Sequence, residues 1–147
     1  MSNYNEAMNT SAIISLISNI REKANRFIIQ EMAEHDIKGL VPSHGDILYA
    51  LFQRDALTMT DLAKTIDRDK STVTALVDKL IGLGYVLKIK ETADNRVSFV
   101  KLTDRGRALK PALDAISGKL LDQAYRDISA AERQCLIELL SKIQRNF

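Results

Sequence analysis

The sequence is poor in cysteine, in net charge and in long apolar runs, and each shortage removes a class of protein. Its one cysteine, Cys135, cannot close an internal disulfide, which fits a reducing cytosol. No apolar run is long enough to span a bilayer. Met1 to Asn9 places no Lys or Arg ahead of the apolar stretch Ala12 to Ile17, and no small-residue cleavage site follows, so neither a membrane partner nor a secretory signal is expected. The formal net charge is only +2, too small for bulk electrostatics alone to indicate a polyanionic partner. Catalytic signatures are missing as well: there is no His-Glu-x-x-His, no Gly-x-Ser-x-Gly and no phosphate-cradling glycine loop. The two histidines, His35 and His44, are not at helical ligand spacing. No enzyme, metal site or cofactor is therefore expected, and His44, beside Ser43, reads as an ordinary surface or interface residue.

What is present is enough for one modest core. A chain of 147 residues, 46% hydrophobic and 27% charged, reads as one cytoplasmic domain spanning 1–147. Its charge is unevenly spread: Asp61 to Lys110 holds eleven Lys or Arg against seven Asp or Glu. The basic excess sits mid-chain.

Helical periodicity dominates both ends. Ile13, Ile17, Ile20, Ala24, Phe27 and Ile28 recur at helical spacing, predicting a long first helix that ends before Gly39 and Pro42. Ser43 then reads as an N-cap, with Asp46 three residues on and Ile47, Leu48, Leu51 and Phe52 as a buried stripe. Thr58 with Asp61 repeats the cap pattern for a short helix that turns Leu62, Ala63 and Ile66 inward. After Asp67 and Arg68, Asp69 can cap a helix whose Val73, Leu76, Val77, Leu80 and Ile81 form one inward face. Its outward residues, Lys70, Ser71, Thr72, Thr74 and Ala75 with Lys79 further along, are mostly small or hydroxylated. Such an edge approaches a groove closely and donates to phosphates or base edges. The pair makes a helix-turn-helix pattern, although structural scaffolds use the same helix pairs.

Tyr85 to Lys90 alternates Leu87 and Ile89 against Lys88 and Lys90, and Val97 to Leu102 is rich in β-formers, so the two predict an antiparallel hairpin. A hairpin directly after a helix-turn-helix is a wing. Arg96 at its tip suits the narrow, negative minor groove, with Asp94 orienting it and Asn95 between them. The plain alternative is an Asp-Asn turn that only reverses the chain.

The run Asp94-x-Arg96, then Leu102-Thr103-x-x-Gly106, with Leu62-Ala63 and Ser71-Thr72-Val73-Thr74 upstream, resembles the MarR family of bacterial regulators over nearly the whole chain. That resemblance implies a mainly α fold with a small β-hairpin: a winged helix-turn-helix lobe at about 43–103 and dimerisation helices at about 10–36 and 104–146. It also implies a homodimeric repressor that binds a pseudo-palindromic operator in double-stranded DNA and is released by a small-molecule effector held between the lobe and the dimer helices. The helix from Lys70 would enter the major groove and Arg96 the minor groove, with Lys88 and Lys90 on the wing. Two positions depart from the family, where many relatives are basic in the recognition helix and at the start of the wing. Ala75 removes a bidentate guanine reader, and Lys88 replaces a fork with a point charge. The base preference stays open.

The C-terminal pattern argues for a dimer independently. Thr103 caps a helix running through Leu109, Leu113, Ile116 and Leu120, in which Pro111 predicts a kink. Ser129-x-x-Glu132 is a capping box ahead of the stripe Cys135, Leu136, Leu139, Leu140 and Ile143. Together with Ile13, Ile17 and Ile20, this stripe exceeds what a small lobe can cover, so it predicts a subunit interface; closure of a monomeric bundle is the alternative. On that stripe Cys135 reads as a buried, inert thiol. A second function class is a protein-interaction module that keeps the fold and has lost DNA binding; Ala75 and the small net charge are its support.

Overall fold

The computed structural model describes residues 10–91, 93 and 96–147. Helix α1 (Ile13–Glu34) contains 22 residues, about 33 Å at the α-helical rise. Only its C-terminal end meets the core, through buried Met32 and half-buried Ile28. Further up, Ile13, Ile14, Leu16, Ile17 and Ile20 are 36–59% exposed. Past the helix, Asp36 takes a left-handed φ of +57°, and the Ile37 amide bonds back to the Met32 carbonyl at 2.8 Å, which closes the helix and seats Ile37 in the core.

Helix α2 (Pro42–Gln53) does not start as its sequence suggests. Pro42 occupies the first turn, where its missing N–H costs nothing, and Val41 rather than Ser43 is the N-cap. The cap is supplied by His44, whose Nδ1 accepts the Val41 amide at 2.9 Å. His44 is thus buried and structural, not an ordinary surface residue. Burial, aided by the Lys79 ammonium, holds its pKa below the usual histidine value.

The rest of the lobe follows its caps. Strand β1 (Leu57–Thr58) leads into α3 (Met59–Ile66), where Thr58 Oγ1 accepts the Asp61 amide at 3.1 Å. Asp67, at φ +54°, turns the chain, and α4 (Lys70–Gly82) begins at its Asp69 cap. Strands β2 (Val86–Lys90) and β3 (Ser98–Leu102) pair antiparallel, with Val86 opposite Leu102 and Lys90 opposite Ser98. β1 adds to β3, giving a three-stranded sheet in the order β1-β3-β2 where the sequence predicted a hairpin alone. A two-residue strand carries no periodicity to read. Ile47, Leu48, Leu57, Leu62, Val73, Val77, Leu80 and Val100 form the centre of the core, each under 2% exposed.

One expected inward position faces outward instead: Ile81 is 37% exposed near the end of α4. On β2, Leu87 and Ile89 are exposed too, at 38% and 45%. The sheet explains the second case: Val86 faces the core with Leu102, so its strand neighbours Leu87 and Ile89 project to the other face, opposite Lys101 and Phe99.

The wing is locked to α4 at one corner. Thr103 Oγ1 donates to the Gly84 carbonyl at 2.6 Å while accepting the Gly106 amide at 3.1 Å, and the Thr103 amide bonds to the Tyr85 carbonyl at 3.0 Å. A Cβ on Gly106 would overlap that same Tyr85 carbonyl. The predicted kinked helix is two helices: α5 (Asp104–Arg107), capped by Thr103, and α6 (Lys110–Ala124). The break falls just before Pro111, which sits in the first turn of α6 and so loses no internal bond. Helix α7 (Ala130–Gln144) begins with the predicted capping box, Glu132 N to Ser129 Oγ at 3.2 Å and Ser129 N to Glu132 Oε2 at 2.8 Å. None of its residues is buried in this chain. Cys135 is accordingly exposed, against the expectation of a buried thiol, because no described residue of the same protomer covers the surface it shares.

Two measurements check these assignments. Gly106→Ala should destabilise the protein by about 2 kcal/mol in denaturant titration, the cost of forcing extra volume against fixed backbone; wild-type stability would refute the corner. For His44, the folded state resists the proton that the unfolded chain takes up near pH 6.5. Stability should therefore be fully present above that pH and fall as pH drops through the lowered folded value. His44→Gln, which can still accept the Val41 amide, should flatten that limb of the stability curve.

Candidate nucleic-acid interface

Helix α4 buries Val73, Val77 and Leu80 completely, and this fixes what it can present. Lys70, Ser71, Thr74, Ala75 and Lys79 are exposed, while Thr72 is half-buried. Asp69 Oδ1 accepts both the Thr72 amide at 2.7 Å and the Ser71 hydroxyl at 2.8 Å, and these bonds hold its carboxyl below the usual range. The Thr74 hydroxyl donates to the Lys70 carbonyl at 2.8 Å. Both hydroxyl protons are thus engaged within the chain. What these hydroxyls retain is acceptor capacity, suited to exocyclic base amines rather than to donation to phosphate.

The cations sort by position. Lys70, Lys88 and Arg96 line one cleft of about 430 Å³ between the start of α3, the start of α4 and the sheet, together with Thr58, Thr60 and Ser98. Sequence reasoning had assigned Thr58 only as a cap, and passed over Thr60 and Ser98, since nothing in their spacing places them beside α4. Lys90 is exposed at the far end of β2. Lys79 lies apart: its Cε and Nζ sit over Gly39 and its charge acts on His44, about 13 Å along the helix from Lys70. Asp94 and Asn95, the other wing candidates, lie outside the described residues.

A second feature lies between the lobe and the helices that leave it. A crevice of about 240 Å³ is walled by Ile28 and Met32 of α1, Asp46 and Tyr49 of α2, and Leu113 and Ile116 of α6. Below it, Lys119 of α6 donates to both carboxylate oxygens of buried Glu31 at 2.9 Å, tying α6 to α1. Of the predicted interface residues, Ile13, Ile17, Ile20, Leu136 and Leu139 are exposed and Leu140 and Ile143 half-buried. Ile137, 50% exposed, adds to this exposed apolar surface and lies off the strict stripe read from the sequence. Among the described residues no helix is long and apolar enough to cross a membrane.

Comparison with known proteins gives this geometry its context. A family model described as MarR family matches residues 40–98, from the turn before α2 into the wing. The chain is similar to the HTH-type transcriptional regulator SarZ of Staphylococcus aureus, 30% identical over 102 residues that cover 69% of this chain and 68% of SarZ. The chain belongs to the MarR family. Relatives of this kind are transcriptional regulators; another, YdgJ of Bacillus subtilis, is 29% identical over 108 residues, covering 74% of this chain and 66% of that one. Solved MarR-family folds superpose closely. A mutant MarR from E. coli complexed with operator DNA gives a TM-score of 0.80 at 23% identity, covering 95% of this chain and 96% of that one. BpsR of Bordetella bronchiseptica, whose DNA binding is regulated by 6-hydroxynicotinic acid, gives 0.79 at 22% identity, covering 88% and 91%. The Leu102-Thr103-x-x-Gly106 run that carried the sequence resemblance is, in this MarR-family chain, the corner that joins wing to helix.

Proposed function

We propose that this MarR-family regulator is a cytoplasmic, non-enzymatic repressor that binds a pseudo-palindromic operator as a homodimer, with a small-molecule effector lowering its affinity. One observation carries the DNA reading: Lys70, Lys88 and Arg96 converge on a single cleft beside a helix whose outward face is small and hydroxylated. Three cations there neutralise backbone phosphate. Ser71, Thr74 and Ala75 allow α4 to approach the major groove closely, and Arg96 stands where a wing meets the minor groove. Thr58, Thr60 and Ser98 add hydroxyl donors for phosphate.

The homodimer reading rests on exposed apolar surface. Ile14, Leu16, Ile20, Ile137 and Leu139 are each at least half exposed, an arrangement a soluble single chain rarely keeps. Association of α1 and α7 with a second copy would cover them, and Cys135 with them. The effector reading rests on the crevice, which lies between helices committed to the interface and a helix of the DNA-binding lobe. A ligand there acts by favouring one spacing of the two lobes over another.

Arg96→Ala should weaken operator binding at least about tenfold by fluorescence anisotropy, with the dimer intact. Lys70→Ala should weaken all duplexes alike and lower the salt slope by about one unit. Unchanged affinity in both variants would contradict the assignment. Leu136→Lys with Leu140→Lys should yield monomer or unfolded chain in sedimentation; an unmodified protein that sediments as a stable monomer would refute the interface.

A further inference from the structure

The crevice wall holds an unmatched charge. Its apolar lining comes from Ile28, Met32, Leu113 and Ile116, and its polar side chains are Tyr49, Ser117 and Asp46. Neighbouring acids are paired: Glu31 with Lys119 at 2.9 Å and Asp114 with Lys110 at 2.7 Å. Asp46 has neither a hydrogen bond nor an ion pair within 4 Å among the described residues. Asp46 is exposed at the rim of the crevice, and partial desolvation against the apolar wall raises its carboxyl pKa, opposed by the Arg68 and Arg21 charges from beyond ion-pair range. Among the described residues no Lys, Arg or His lines the crevice.

We infer that the crevice takes a small apolar amine, its ammonium set against the Asp46 carboxylate and its hydrocarbon part between α1, α2 and α6. This names the chemical class of the effector and so rests on the crevice being the regulatory site proposed above. The electrostatics select the sign of the ligand. An ammonium gives Asp46 the direct ion-pair partner it lacks among the described residues, whereas a carboxylate would be desolvated beside a like charge, with Arg68 and Arg21 too far to pair with Asp46 and absent from the crevice lining. Tyr49 adds a phenol that donates to Asp114 Oδ1 at 3.4 Å and interacts with the Ser117 hydroxyl, which keeps the wall beside Asp46 polar. The volume, about 240 Å³, suits a single ring with a short arm rather than a drug-sized molecule.

The test uses the full-length protein without DNA, titrated with phenethylamine, phenethyl alcohol and phenylacetate and followed by amide NMR. Phenethylamine should shift the Gly45, Asp46 and Ser117 amides and bind about tenfold more tightly than the alcohol, the increment of one charged hydrogen bond, with phenylacetate weakest. Asp46→Asn should remove the amine's advantage and leave the alcohol unchanged; Asp46 lies on the exposed rim, so the variant keeps its fold. Phenylacetate binding as tightly as the amine, an amine preference that survives Asp46→Asn, or no crevice shift with any probe would each overturn the inference. Because binding is read without DNA, a preference for phenylacetate overturns the ligand class alone, and failure to bind any operator overturns only the earlier reading.

Discussion

The corner at Thr103 is the constraint on which the other surfaces depend. One hydroxyl closes the turn after α4 by donating to the Gly84 carbonyl and starts the next helix by accepting the Gly106 amide. Gly106 is needed because the Tyr85 carbonyl occupies the space a side chain would take. The guanidinium of Arg105 lies 5.0 Å from the Tyr85 ring centroid and packs the outer side of the same turn. Three directions are set together there: that of α4, that of the wing strands, and that of the helices leading to α7. A small shift at this point would move the cleft cations relative to α4 and alter the angle at which the C-terminal helices leave the lobe.

The chain also illustrates how a protein with little net charge can present a strongly cationic site. The excess of positive charge is mid-chain, and folding gathers three of those cations around one cleft. Asp69 sits close by, yet its Oδ1 is occupied by the Thr72 amide and the Ser71 hydroxyl, so its charge is turned toward the start of the helix rather than toward a phosphate. Between Lys70 and Lys79 the outward face of α4 carries the small side chains Ser71, Thr74 and Ala75, so in the proposed reading close approach supplies the contact there.

How much of this was legible in the sequence follows from which features are local. Caps and periodic stripes are local, so the Thr58, Asp69 and Ser129 caps and the inward face of α4 could be read directly. His44 could not, because a histidine three residues after a valine is not a recognised capping signal, and only the geometry shows its ring nitrogen facing the Val41 amide. The faces of β2 could not be assigned, because alternation fixes which residues share a side but not which side meets the core; the buried Val86 opposite Leu102 settles that. Cys135 is exposed for a related reason: an apolar stripe predicts that something covers it, and among the described residues of one protomer nothing does. The cleft needed tertiary structure outright, since Thr60, Lys70, Lys88 and Ser98 lie on four separate elements.

The central claim is that the cleft and α4 read duplex DNA as a symmetric pair. Its most direct test is an unbiased selection of duplexes by the purified protein, followed by binding to the selected sequence across a salt series. The account predicts enrichment of a pseudo-palindrome with half-sites about one helical turn apart, and log affinity falling by about 0.9 per phosphate contact for each log unit of salt. Failure to enrich any sequence, with only weak salt-sensitive binding, would contradict it and favour a protein-interaction role for the same fold.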